Sequence, residues 1–291
     1  MKRDLIGLHT SVLLLSGASL SAKLITLAAT QTIALRALIA TLALFVFVKF
    51  TGTRMGLRSR ADLGWILLTG LIVAAHWVVF FTGIQASSVA IVLTAFYTFP
   101  VITVLMEALL HRHAVDRRNL VLALIVFAGV YLAVPGGFAG GRLAIGAALG
   151  ILSGCLYSLR NVLYRKHLRN YPASAMMLYQ TAVVAVVLLP FLSTGIDLRT
   201  DHRWIYLLAL GVLFTAVAHT LYVNSLRTIR ASTAGLISCM EPIYGMILAA
   251  VVLGEKPGMQ TIAGALIVVT AAVYTSIRVN RTAKEEASKV S

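Results

Sequence analysis

Apolar runs of roughly 20 residues recur along this chain from one end to the other, and that recurrence leaves few folds open. A hydrocarbon core about 30 Å thick is crossed by about 20 helical residues. Within it every backbone N–H and C=O must find its partner in the chain, so only helices and closed barrels can span. The runs are continuous and do not alternate with polar residues, which selects helices over barrel strands. Composition excludes a water-soluble domain: 59% of the residues are hydrophobic and 12% charged, where a water-facing surface needs about a quarter charged.

The runs predict ten helices, at about 5–23, 31–50, 63–84, 88–110, 118–135, 143–164, 173–192, 203–225, 231–253 and 258–278. The net charge of +15 lies in short blocks between them, which argues for topology signals and against a nucleic-acid surface. Eighteen basic residues fall on the face that carries the two termini and four (Arg142, Arg199, Arg203, Lys256) on the other, while Lys23, Arg36 and Arg160 lie in or at the ends of spans. The positive-inside rule then puts both termini in the cytoplasm of a multi-pass protein of the cell inner membrane. Met1-Lys2-Arg3 followed by an apolar run resembles a signal peptide, but its length fits a retained first span. Cys155 and Cys239 fall inside spans and read as buried thiols, with no metal site and no disulfide.

Within this pattern Ala231 to Ile277 stands out, because Glu241 sits in the middle of an apolar run and is followed at once by Pro242. The same layout without the carboxylate surrounds Pro100. The residues Ala123-Leu124-Ile125-Val126 and Ala265-Leu266-Ile267-Val268 keep the same offset as the two prolines. Five spans separate the copies, so the halves enter the membrane in opposite senses, which is the inverted repeat of many secondary transporters. The expected organisation is an all-α integral membrane protein of two inverted five-helix repeats, 1–135 and 143–278, with a linker at 136–142 and a cytoplasmic tail at 279–291.

Several features in fixed order resemble the drug/metabolite transporter superfamily, EamA-type branch. Lys23 closes the first span, Arg36 opens the second, a proline centres the fourth, and a Tyr-containing sixth span ends in Arg165-Lys166. Leu253-Gly254-Glu255-Lys256 closes the ninth behind Glu241-Pro242. The chain departs from the family where His111-Arg112-His113 replaces the usual Gly-Glu after the fourth span, and where tryptophan is absent from the first and sixth. The resemblance implies a ten-helix carrier of small metabolites without a cofactor, very often an exporter of amino acids or related compounds, as a monomer or a homodimer.

Glu241 is the leading site residue, since a carboxylate at the bilayer centre costs about 2.5–3.5 kcal/mol and is tolerated mainly beside a cavity or a partner. It either binds a substrate amine, couples transport to protons, or pairs structurally with Arg36 or Arg160. Pro242 frees the carbonyl one turn before it, at Ser238, and Pro100 does the same in the fourth span, which makes both candidate hinges. Arg36 and Arg160 either bind a substrate carboxylate or snorkel to the interface. Tyr157 shares the helix face of Arg160. His76 and His219 lie near the middle of the third and eighth spans, with Trp77 at the repeat position of His219, and are pocket or packing residues. Tyr97, Thr98, Tyr179 and Gln180 offer polar or aromatic groups for an amphipathic pocket. Glu107 reads as an ion-pair partner of Arg112, and Gly146, Gly150 and Gly154 as a close helix contact.

Two other readings compete with a carrier. An intramembrane enzyme would use Glu241 with a histidine as acid and base, but no acid–His pair stands at helical spacing. A passive channel or scaffold would carry a repeated selectivity sequence or a sizeable extramembrane domain, and neither is present.

Overall fold

The computed structural model describes residues 2–110, 117–137, 141–192, 203–225 and 237–290, with side chains described except at 2–4, 110, 203, 223–225, 276 and 278–290. Among these residues the fold is helical throughout, without a strand. The helices are α1 (Lys2–Leu24), α2 (Ala29–Phe50), α3 (Arg60–Ala86), α4 (Val89–Phe96), α5 (Phe99–Leu110), α6 (Arg117–Ala133), α7 (Arg142–His167), α8 (Ala173–Leu188), α9 (Arg203–Leu208), α10 (Ala218–Ser225), α11 (Glu241–Leu253) and α12 (Met259–Val290). Seven stretches are long and apolar enough to cross a membrane, and Glu241–Leu253 and Met259–Thr275 are shorter apolar helices. Large apolar side chains cover the outside: Leu63, Leu67 and Leu71 line one exposed stripe of α3, and Leu120, Leu124 and Tyr131 one of α6. Water would penalise such stripes, and lipid does not.

With apolar surface inside and out, close approach must do what the hydrophobic effect does in water. The α7 glycines allow it. A methyl group at Gly150 would lie 2.7 Å from Ala95 Cβ and 2.8 Å from the Val92 carbonyl oxygen, and one at Gly154 would lie 2.9 Å from the Phe96 carbonyl oxygen. Gly146 faces Ser87 in the same way. The ridge thereby seats α7 on α3, α4 and α5. Elsewhere α1 packs on α10 and α11, α2 on α8, and α6 on α12.

Two stretches that read as single spans are broken. Tyr97 and Thr98 separate α4 from α5, and Pro100 is the second residue of the new helix. Pro242 occupies the same place in α11, behind a Met240 N-cap. Proline lacks an N–H and clashes with the carbonyl four residues back, but it is at home in a first turn. Each proline thus restarts a helix where the apolar pattern shows only continuity. α11 ends at Gly254, whose φ of +68° is left-handed and costs a glycine little. That turn carries Glu255 back to α4, where its Oε1 accepts the Val89 N–H at 3.3 Å.

The stretch 203–225 holds a different irregularity. Its central residues Ala209–Val217 form a π-helical segment between α9 and α10. Such segments mark functional sites more often than plain helix does.

Candidate functional site

A cavity of about 910 Å³ lies between α2, α3, α7, α8 and α10. It runs from His76 and Trp77 within α3 to Thr51, Arg54 and Pro172 in the loops after α2 and α7. Those loops hold Arg54, Arg58 and Arg169, with Arg60 opening α3, so the cavity reaches the basic end of the bundle. At the opposite end the helices are tied together. Lys23 Nζ donates to the Ser87 carbonyl at 2.6 Å, and Gln85 Nε2 donates to the Leu27 carbonyl at 2.9 Å. With the Glu255 contact to α4, these bonds join the ends of α1, α3 and α11.

The polar lining is positive and aromatic. Arg160 reaches into it from α7, donating through Nη1 to Asn161 Oδ1 at 3.0 Å and through Nη2 to Gln180 Oε1 at 2.5 Å, with its guanidinium 5.2 Å from the Tyr164 ring centre. The His76 Nδ1 lies 2.7 Å from Ser153 Oγ and 3.1 Å from the Ser153 carbonyl, and the ring packs on Phe96 and Tyr157. His219 Nδ1 meets the Thr215 carbonyl at 2.9 Å, which fixes a donor there. Trp77, Tyr157, Tyr164 and Tyr222 supply the aromatic walls.

Arg36 is placed one layer behind. It is buried, its Nε donates to Thr215 Oγ1 at 2.9 Å in the π-helical segment, and its guanidinium stacks 4.0 Å from the Trp77 ring centre. It neither lines the cavity nor reaches the interface. A cation on the rear face of Trp77 is stabilised by the ring quadrupole and lends positive potential to the space beyond.

Glu241 and Tyr97 form a separate group where the two broken spans cross. The Tyr97 hydroxyl donates to the Ser238 carbonyl at 2.5 Å and to Glu241 Oε2 at 2.9 Å. Ser238 is the carbonyl that Pro242 leaves without a helical donor, so the tyrosine of one break satisfies the other. The alternative that Glu241 pairs with Arg36 or Arg160 is not realised: among the described residues neither arginine has a carboxylate within ion-pair distance. Ser238 Oγ donates to the Tyr222 hydroxyl at 3.4 Å, which links this crossing to the cavity wall. Glu107 pairs with Arg165 at 3.1 Å, and its expected partner Arg112 lies outside the described residues.

The chain matches the EamA-like transporter family over residues 5–134 and again over 144–277. It belongs to the EamA-like transporter family. It is similar to the uncharacterized transporter YxxF of Bacillus subtilis, 22% identical over 227 residues, which is 76% of this chain and 72% of the relative. An uncharacterized transporter of Archaeoglobus fulgidus is 25% identical over 215 residues, 73% of this chain and 75% of its own. A crystal structure with 18% sequence identity matches over 97% of this chain and 99% of its own with a TM-score of 0.64, a likeness of fold.

As an EamA-like transporter the chain is a membrane transporter of small molecules and not an enzyme. Of the residues singled out from the sequence, the fold brings His76, Trp77, Tyr157, Arg160 and His219 to one cavity. Glu241 and Tyr97 meet each other instead, and Tyr179 turns toward the basic loops, where its hydroxyl donates to the Met55 carbonyl. Tyr164, Tyr222 and Arg54 also line the cavity, although nothing in their spacing singles them out. Tyrosines near a span end read as interface anchors, and an arginine in a basic loop reads as a topology signal.

Proposed function

We propose that the chain is a secondary transporter that moves small metabolites by alternating access, exporting amino acids or related compounds across the inner membrane. The observation that carries this reading is the placement of the cavity: it reaches the basic loops, while hydrogen bonds tie the helix ends opposite. With basic loops in the cytoplasm this is an inward-open state. Ten spans in two inverted halves, 1–135 and 143–278, with both termini cytoplasmic, fit two further facts. The family matches the chain twice, and the packing exchanges under a swap of halves. α1 of the first half packs on α10 and α11, while α7 of the second packs on α3 and on α4 with α5.

Glu241 is the coupling residue in this reading. Tyr97 has one hydroxyl proton, and two acceptors face it. A protonated Glu241 balances the group, because its own O–H can donate to Tyr97 while Tyr97 donates to Ser238. An ionised Glu241 brings no donor and competes with the Ser238 carbonyl for the one Tyr97 proton, so the crossing is sensitive to a single proton. Pro100 and Pro242 are the positions at which the broken spans hinge.

The test is flux from liposomes containing the purified protein and loaded with amino acids, organic acids, nucleosides and organic cations, with Glu241→Gln beside it. Saturable release of one chemical class, with a pH dependence that the variant loses, is the expected result. Folded protein that releases nothing above empty liposomes overturns the carrier reading, and a variant that keeps the native pH profile removes Glu241 from coupling.

A further inference from the structure

We infer that the cavity selects organic anions, compounds with an acceptor-only oxyanion end such as a carboxylate on a flat apolar body, and that it has no subsite for an ammonium group. The inference rests on the carrier reading but departs from its amino-acid cargo, replacing amino acids with related organic anions that lack the ammonium group. The sign of the charge comes first. Arg160 and Arg54 line the cavity, Arg36 stacks behind Trp77, and among the described residues no aspartate or glutamate lines it. Glu241, the carboxylate that an amine would seek, is turned to Tyr97.

The hydrogen-bond balance points the same way. Gln180 is fully buried in the cavity wall, and Arg160 Nη2 occupies its Oε1. That contact fixes the amide orientation, because two donors cannot face each other. Gln180 Nε2 and Arg160 Nε are both without a hydrogen-bond partner among the described residues. Both atoms are covered in this state, so a ligand reaches them only as the wall shifts around it, and the group that relieves such donors carries lone pairs and no protons. A carboxylate meets a guanidinium in this way and adds the charge-assisted strength that a neutral acceptor lacks.

The remainder of the wall describes the body of the ligand. Trp77, Tyr157, Tyr164 and Tyr222 offer ring faces and Met176 and Met177 adaptable apolar contact, within a volume suited to a drug-sized molecule. Aromatic walls alone would also suit an organic cation. The arginines decide against it, since a like charge in a site of low dielectric is repelled.

A matched probe set tests this on the purified full-length protein: 3-phenylpropionate, phenylphosphate, phenylalanine and phenethylamine, which share a ring and differ in charge, measured by calorimetry and thermal shift. The anions are expected to bind at least about ten-fold tighter than phenylalanine, with phenethylamine weakest. The two anions separate carboxylate from phosphate recognition. Arg160→Gln is expected to weaken the tighter anion by at least about ten-fold, and the exposed Arg165→Gln on the same helix by less than about two-fold. Should Arg160→Gln fail to fold, the near-isosteric Gln180→Glu neutralises Arg160 in place and is expected to weaken anions by a similar factor. Phenethylamine or phenylalanine binding as tightly as both anions overturns the inference, as does unchanged anion affinity in either folded cavity variant. Saturable efflux of an amine or amino acid in preference to the anions leaves the carrier standing and sinks the anion site. Tight anion binding without flux does the reverse.

Discussion

The cavity wall around Arg160 and the crossing of the broken spans around Tyr97 are both polar islands in a lipid-embedded bundle, but their hydrogen bonds are out of balance in opposite directions. At the wall donors exceed acceptors, since Gln180 Nε2 and Arg160 Nε have no partner among the described residues. At the crossing two acceptors, the Ser238 carbonyl and Glu241 Oε2, share the one Tyr97 hydroxyl proton. A surplus of donors is relieved by an anion and a surplus of acceptors by a proton. The two regions therefore describe a carrier's two tasks, and Tyr222, which lines the cavity and accepts from Ser238 Oγ at 3.4 Å, stands between them.

The largest test of this contrast is at the wall. Arg160→Met removes the charge and the fork together, and the affinity for 3-phenylpropionate should fall by about 100-fold, the upper range for losing a charged hydrogen-bond partner. Melting of the detergent-purified protein should fall modestly, because Gln180 Oε1 loses its donor while removal of a desolvated cation with no described carboxylate mate offsets part of that loss. A collapse of stability with unchanged affinity in the surviving protein would make Arg160 a structural residue and break the comparison.

Tyr97→Phe comes next and should show the opposite pattern. It deletes the Tyr97 hydroxyl that donates to Glu241 Oε2 and faces the Ser238 carbonyl, and losing that donor should cost about 1–3 kcal/mol, read as a lower melting temperature. Anion affinity at the cavity should stay within about two-fold, because Tyr97 makes no contact with the ligand space. Loss of affinity without loss of stability would merge the two regions into one site.

What the sequence disclosed and what it hid follow from the same physics. The first three spans and the sixth were legible because runs of apolar residues and hydrophilic ends fix a crossing helix within a few residues. Pro100 marked a hinge in the fourth span but did not show that the helix stops at Phe96 and restarts at Phe99, since the side chains on both sides of the break are mostly apolar. The π segment at Ala209–Val217 was equally silent: in a stretch apolar all round, no periodicity separates one helix type from another. For the site, rare polar groups in lipid flagged His76, His219 and Arg160. The partnership of Tyr97 with Ser238 depends on two distant breaks meeting, which spacing along the chain does not encode.

The smallest effect is expected at Arg36, and it separates field from contact. Its guanidinium is held by Thr215 and by Trp77 and touches no cavity space, so a ligand feels it only through the ring. A charge about 8 Å away at an intermediate dielectric contributes about 1 kcal/mol, so Arg36→Met should weaken 3-phenylpropionate by about five-fold. Thr215 keeps a partner in the Leu210 carbonyl, to which its hydroxyl donates at 2.6 Å, and the loss of an unpaired buried cation offsets the lost stacking. The variant should therefore fold as the native protein does. A neutral probe, 3-phenylpropanol, should bind both forms alike, because a field acts on charge while packing acts on shape. Equal weakening of the alcohol and the acid would show that Arg36 works by propping Trp77, and the positive potential of the cavity would then belong to Arg160 and Arg54.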